Sequence, residues 1–352
     1  MPRVTLQTVA DRVGVSRMTV SNAFSRPDQL SPGLRARIME VAEELGYVGP
    51  DPAARTLARG TTGTVGVLLT DSLGAAFSDE VATSFIGAIA DELTVTGLSL
   101  TLLSATAGED SVPARDAAMD GAIVYSCNPD SSAVDWLSRR RLPMVFVDQA
   151  PSGGVASVNV EDRAGARAAA QHLVDLGHQH IGILTNGMNG PHGIIDNPLR
   201  LRDVHVLSER MRGWLDALSA AGASSIVARQ KHGSDEAAYD GARLLLDRED
   251  RPTGILCFSD RMAYEAIRAA HDLGLSVPHD VSVVGFDDTL LAQRVRPALT
   301  TVRQDVRAKG KAAAAALIRA MKQARDGVPG RVRHLQLPTQ LVVRESTDKP
   351  AP

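Results

Sequence analysis

Cysteine is nearly missing from this chain. Cys127 and Cys257 lie 130 positions apart, each inside an apolar, strand-like run. That spacing fits no metal or redox pattern, so buried, reduced thiols are expected. Also missing is any stretch of about 18 apolar residues, which excludes a transmembrane helix. The N-terminus MPRVTLQTVADRV lacks the apolar core of a secretory leader, so a cytoplasmic protein with no membrane partner is expected. The catalytic patterns G-x-S-x-G, H-E-x-x-H and Walker A do not occur. The glycine-spaced stretch GTTGTVG (60–66) precedes a strand instead of following one, so it is not a dinucleotide loop. His172, His178 and His180 have no carboxylate at ligand spacing. The expectation is a protein that is not an enzyme and holds no metal or cofactor.

What is there is ordinary in amount and uneven in distribution. With 352 residues, 44% of them hydrophobic, the chain can bury two or three separate cores. Residues 1–37 hold six arginines against Asp11 and Asp28, a balance of +4, which leaves −7 for the remainder of a chain of net charge −3. A basic head on an acidic body points to a polyanionic partner for the head.

The texture changes twice. Residues 1–48 are helical in pattern, and 49–61 (GPDPAARTLARGT) read as a linker containing one short helix. From Thr64, near-continuous apolar strands (64–70, 98–105, 121–126, 143–148, 180–185, 254–259, 281–286) alternate with amphipathic helical stretches (79–96, 131–140, 163–176, 208–221, 235–247, 260–273). Such strands suit a parallel sheet covered on both faces, and this length predicts two doubly wound lobes. The tail after Glu345, STDKPAP, is expected to be disordered.

In the head, Thr5 suits the N-cap of a helix LQTVADRV, Gly14 a sharp turn, and Ser16 the N-cap of a second helix through Phe24. A third helix runs from Pro32 to Leu45. The three-residue gap between the first two predicts a helix-turn-helix, whose second helix enters the major groove. Within VGVSRMTVSNAF (13–24), Ser16, Thr19 and Ser21 are short donors suited to phosphate oxygens. Arg17 can read guanine, Asn22 adenine, and Met18 a thymine methyl. In the linker, Asp51, Pro52 and Gly60 bracket about eight residues, too few to be helical alone in water. Such a helix orders when something binds it. Leu57, beside Ala53 and Ala54, suits a wedge between base steps; an inert linker is the alternative.

With these motifs in hand, the chain resembles the lactose-repressor (LacI/GalR) family of bacterial transcription regulators. VTLQTVADRVGVSRMTVSNAF, LGYVGPDPAARTLARG and TVGVLLTD match its head, hinge helix and first core strand; HLVDLGHQHIGIL, FSDRMAYEAIRAAHDLGLSVPHDVSVVGFDDT and PALTTVRQDVRAKG match its core. The resemblance implies a homodimer on a pseudopalindromic operator; no leucine heptad follows Glu345, so a dimer rather than a tail-linked tetramer is expected. It also implies a two-lobed core, similar to periplasmic sugar-binding proteins, that closes on a small effector, a sugar first and a nucleoside or purine second. The implied divisions are a head (1–48), a hinge (49–61), a core (62–345) and a tail (346–352). Within the core, 62–160 with 305–330 make one lobe and 161–304 with 331–345 the other. Residues expected at DNA are Thr5, Ser16, Arg17, Met18, Thr19, Ser21, Asn22, Ala54 and Leu57. Those expected at the effector are Asp71, Phe77, Tyr125, Asp148, Arg210, Ser259, Asp287 and Gln304. An arginine fork and a carboxylate can fix a polar ring in a cleft; for the other six, lobe packing or a strand-end cap is the alternative. The connection NGMNGPHGIIDNPLRLRDVHVL (186–207) is longer than usual for the family, and reads either as a lid or as a surface ornament. A solute receptor with no DNA role is the rival reading, which the basic head and the missing leader oppose.

If Arg17 and Asn22 read bases, Arg17→Ala and Asn22→Ala should each relax preference at one operator position by about 1–3 kcal/mol. Binding titrations against a set of single-base operator variants check this; uniform weakening across the set would reduce both residues to backbone contacts.

Overall fold

The computed structural model describes residues 4–51, 56, 60–70, 72–105, 112–127, 131–187, 190–200, 204–231, 234–328 and 330–351. The chain folds as two units, Met1–Gly63 and Thr64–Pro352.

The first unit contains α1 (Leu6–Val13), α2 (Arg17–Ser25) and α3 (Pro32–Glu44). Thr5 and Thr8 cap each other reciprocally at the start of α1, and Gly14 ends it at φ 81°, a conformation that side chains disfavour. Ser16 then caps α2 by accepting from Thr19 N at 3.0 Å, and Ser31 caps α3. Val9, Ala10, Val13, Val20, Ala23, Ile38 and Ala42 form the buried core, with Val15 packed against it. The predicted helix-turn-helix is present, because the apolar stripes of all three short helices meet in one small cluster.

The second unit holds two sheets. Its elements in chain order are β1 (Thr64–Leu69), α4 (Leu73–Ser78), α5 (Glu80–Thr94), β2 (Ser99–Ser104), α6 (Pro113–Asp116), β3 (Gly121–Tyr125), α7 (Ser132–Arg139), β4 (Met144–Val147) and β5 (Ala156–Val160). There follow α8 (Asp162–Leu176), β6 (His180–Gly187), β7 (Gly193–Ile195), α9 (His205–Ala220), β8 (Ser224–Lys231), α10 (Asp235–Leu246), β9 (Gly254–Cys257), α11 (Asp260–Asp272), β10 (Ser282–Asp287), α12 (Leu290–Arg294), β11 (Thr300–Gln304), α13 (Val306–Asp326), β12 (His334–Leu337) and β13 (Thr339–Val342). The first sheet has the order β12-β5-β4-β3-β1-β2 and is parallel throughout. The second has the order β13-β11-β10-β9-β6-β8-β7, with β13 and β7 antiparallel to their neighbours. Central strands such as Val65–Leu69 and Gly254–Cys257 are buried along their length, as helices on both faces require. Both cysteines are buried, and no helix of the described residues is long and apolar enough to cross a membrane.

The chain crosses between the sheets three times, from β5 to α8, from β11 to α13, and from β12 to β13. The first and third crossings are stitched together: Glu161 N donates to Leu337 O at 2.9 Å, and Thr339 Oγ1 donates to Glu161 O at 3.1 Å.

Three expectations need correction. Residues 331–345 do not belong to one lobe, because β12 pairs with β5 of the first sheet and only β13 joins the second. The short, largely exposed HLQL carries too little apolar signal to show its partner. The connection 186–207 is partly regular: β6 runs on to Gly187, and β7 adds an antiparallel edge strand beside β8. The tail, finally, is ordered over residues 346–351. Ser346 is fully buried; its hydroxyl donates to Val283 O at 2.6 Å and accepts from Thr300 N at 2.8 Å. His178 Nε2 lies 2.9 Å from Asp348 O, and His172 Nε2 lies 3.0 Å from Thr347 Oγ1. The polar composition that suggested disorder instead satisfies backbone groups at the end of the second sheet. Ser346→Ala should therefore destabilise the protein by about 1–3 kcal/mol, since it strands the buried Thr300 N–H. Urea unfolding monitored by tryptophan fluorescence measures this.

Candidate functional site

The head presents its candidate surface on α2. Arg17 and Met18 are exposed at the first turn, Met18 with 69% of its surface in solvent. Asn22 follows one turn later, half-buried, and its side-chain N–H donates to Gln29 Oε1 at 3.2 Å. Ser16 and Thr19 hydroxyls lie 2.8 Å apart, so both take part in the cap of α2. Thr5 is exposed at the cap of α1, and Ser21 is half-buried in α2. Ala54 and Leu57 lie outside the described residues.

The second unit holds a cleft of about 340 Å³ between the carboxyl ends of its two sheets. Open α/β sheets bind ligands at such ends, and the volume suits a small molecule. The backbone is bent there in an unusual way. Ser126, Asp148 and Asp287 follow or end β3, β4 and β10 with φ of 53°, 56° and 119°. Left-handed φ at non-glycine residues is costly and persists where the surroundings impose it.

A chain of buried polar groups runs along the cleft floor. Arg210 Nε donates to Asp162 Oδ1 at 2.8 Å, Nη1 donates to Phe258 O at 2.5 Å, and Nη2 lies 3.5 Å from Asp287 Oδ1. Gln304 Nε2 donates to Asp287 Oδ1 at 2.6 Å, and Gln304 Oε1 accepts from Lys309 Nζ at 2.9 Å. Lys309 Nζ then donates to Asp148 Oδ2 at 2.7 Å. The chain thus joins Asp148 and Lys309 of the first lobe to Gln304, Asp287, Arg210 and Asp162 of the second. Asp148 Oδ1 is buried with no hydrogen-bond partner among the described residues.

Local packing aims these groups. A Cβ at Gly213 would meet Arg163 O at 2.3 Å, so the bare glycine lets α9 lie against α8 and brings Arg210 to Asp162. Gly285 likewise leaves room for Asp260, whose Oδ2 accepts from Thr289 N at 2.7 Å beside Asp287 and Asp288. The Arg210 guanidinium is sandwiched between Phe258 and Phe286, 4.6 and 3.5 Å from the ring centroids. Tyr125 stacks on Phe85 with centroids 4.4 Å apart.

Burial dominates the electrostatics. It raises Asp287 to about 7 and Asp260 to about 8, and raises Asp162 above the ordinary carboxylate value. Arg210 pulls Asp162 and Asp287 back, while Asp287 pushes Asp260 further up. Tyr125 is raised by burial and then by the carboxylates of Asp148, Asp79 and Asp287.

Of the residues expected at the effector, Tyr125, Asp148, Arg210, Ser259, Asp287 and Gln304 line this cleft. Ser259 also caps α11, accepting from Met262 N at 3.2 Å. Phe77 does not line it: this residue is 59% exposed, and α4 contributes Gly74, Ala75, Ala76 and Ser78 instead. One residue along a helix rotates by about 100°, so the turn that buries Ala76 points Phe77 outward. Asp71 lies outside the described residues. The long connection contributes Asn186, Gly187, Val204, Val206 and Leu207 to the lining. Sequence reasoning missed Asp162 and Lys309. Lys309 had a readable signal, because it shares the i, i+4, i+8 stripe of the buried Ala313 and Leu317, where a lysine needs a buried partner.

A helix-turn-helix unit joined to a two-lobed α/β core with a polar cleft defines a DNA-binding transcriptional regulator with a ligand-binding domain. Residues 5–49 match bacterial regulatory proteins of the lacI family, and 170–347 match the periplasmic binding protein-like domain. An HTH-type transcriptional regulator of Mycolicibacterium smegmatis is 37% identical over 327 residues, 88% of this chain and 89% of that protein. Among solved structures, the lac repressor dimer bound to operator and the anti-inducer ONPF is similar with a TM-score of 0.78 and 27% identity, covering 98% of this chain and 99% of that one. A transcriptional regulator CelR–cellobiose complex is similar with a TM-score of 0.69 and 27% identity, over 98% and 100% of the two chains. The chain belongs to the lacI family of bacterial transcriptional regulators, and its relatives are regulators, not enzymes.

Arg210→Met removes the cation from between two buried carboxylates, Asp162 and Asp287. The expected loss of stability is about 3–5 kcal/mol, read from the shift of the denaturant midpoint. A loss below about 1 kcal/mol would show that Arg210 is not what holds these carboxylates.

Proposed function

We propose that this protein is a dimeric repressor that binds a pseudopalindromic operator and whose DNA affinity is set by a small, neutral, hydroxylated effector in the interlobe cleft. A sugar is the first candidate and a nucleoside the second. The observation that carries the reading is Asp148, a buried carboxylate with one oxygen on Lys309 and the other unpartnered among the described residues. A ligand hydroxyl is the natural donor to that oxygen. Arg210, Lys309 and Arg261 already face Asp162, Asp148 and Asp235 and are compensated without an anionic ligand, which leaves Lys231 as the cleft cation that a ligand would meet. The cellobiose complex and the operator-bound dimer of the relatives support the ligand class and the assembly. On this reading Arg17, Met18 and Asn22 select bases, Leu57 wedges the minor groove, and the hinge transmits the state of the core to the head in the cytoplasm.

A thermal-shift screen over sugars, polyols, nucleosides and their phosphates tests the effector class. A ligand at 100-fold its Kd stabilises by roughly 2.7 kcal/mol. The expected result is a raised Tm with one neutral hydroxylated class, and a changed gel shift on DNA upstream of the coding region when that compound is added. A response confined to phosphorylated compounds would sink the proposal.

A further inference from the structure

Besides the backbone crossings and the bonds that stitch them, two sets of side-chain contacts among the described residues join the lobes at the cleft, and they differ in burial. The chain from Asp148 through Lys309 and Gln304 to Asp287 is buried, and Gln304 stands at one of the three crossings. The second contact lies in solvent at the cleft. There Leu290 N, in the second lobe, donates to Oε1 of Glu80, in the first, at 3.0 Å. Glu80 is the first residue of α5 and is exposed; Leu290 is the first residue of α12 and is 48% exposed.

Helix α12 lacks a cap of its own. Thr289 makes no side-chain cap bond to it, because its N–H and its hydroxyl both donate to Asp260 Oδ2, at 2.7 and 3.1 Å. The first N–H groups of a helix have no partner within the helix. The carboxylate of Glu80 supplies one from the opposite lobe. Both halves of the contact continue into the cleft wall. Asp79, which precedes Glu80, lines the cleft, and Asp287, which lines it from the other lobe, stands three residues before Leu290.

We propose that Glu80 is the latch of the closed core. Closure places its carboxylate on the Leu290 N–H, and parting of the lobes gives that N–H to water. A ligand drawing Asp79 and Asp287 together favours the latched state; this regulatory clause rests on reading the cleft as the effector site, whereas the latch itself does not.

The test uses the full chain without DNA or effector. Val95→Cys and Leu244→Cys introduce spin-label sites at positions 83% and 46% exposed on the first and second lobes, while Cys127 and Cys257 are buried. Pulsed dipolar spectroscopy then reads the lobe separation. Glu80→Ala should raise the ratio of long to short distances by about threefold or more. Glu80→Gln keeps an acceptor without the charge and should fall between. Asp91→Asn, which removes an ion pair with Arg307 inside the first lobe, should leave the distribution unchanged. A smaller change in Glu80→Ala, or an equal shift in Asp91→Asn, overturns the latch. Because no ligand is added, this failure is distinct from failure of the effector reading, which the thermal-shift screen decides.

Discussion

Arg210 occupies a place where an isolated cation would be costly. It is 4% exposed, flanked by two aromatic rings, and held by Asp162 with Asp287 close by. Desolvating a charge costs several kcal/mol, so such a cation requires carboxylates, and buried carboxylates require the cation. The requirement spreads outward. Asp287 is shared with Gln304, Gln304 with Lys309, and Lys309 with Asp148, until both lobes are committed to one arrangement of polar atoms. Their relative position at the cleft floor follows from charge compensation as much as from apolar packing.

The strained backbone around this chain has the same origin. Asp148, Asp287 and Asp288 all adopt left-handed φ, Asp287 as the last residue of β10 and the other two just past a strand end. Each turns a carboxylate toward a cation: Asp148 to Lys309, Asp287 to Arg210, and Asp288 to Arg303 and Arg344. The ion pairs offset the backbone cost, and the resulting geometry leaves the buried Asp148 Oδ1 without a hydrogen-bond partner among the described residues.

The head solves a different problem with short side chains. A helix of nine residues is too short to hold itself together in water, so Ser16 and Thr19 cap it and Val20 and Ala23 bury it. Arg17 and Met18 take no part in that core and stay in solvent. Hydroxyls read from sequence as phosphate donors serve the fold here as caps, and a capping oxygen that accepts keeps a proton to donate.

How much was legible varied with the range of the interaction. The helix-turn-helix was readable because its caps, its glycine turn and its apolar stripes are local. The alternating texture after Thr64 showed two doubly wound lobes for the same reason. Edge strands such as HLQL, with little apolar contrast, were not readable, nor was the ordered tail, whose polar residues resemble a free end until Val283 and Thr300 are seen against Ser346. Arg210 and Asp287, named through a family resemblance, do line the cleft, whereas Phe77 does not, since a turn of about 100° per residue decides which neighbour of α4 faces it. Sequence alone determined the local elements, the basic head and the class of protein. Only the tertiary structure decided which charges neutralise one another, because Asp148 and Lys309 are 161 positions apart and meet only when both sheets are built.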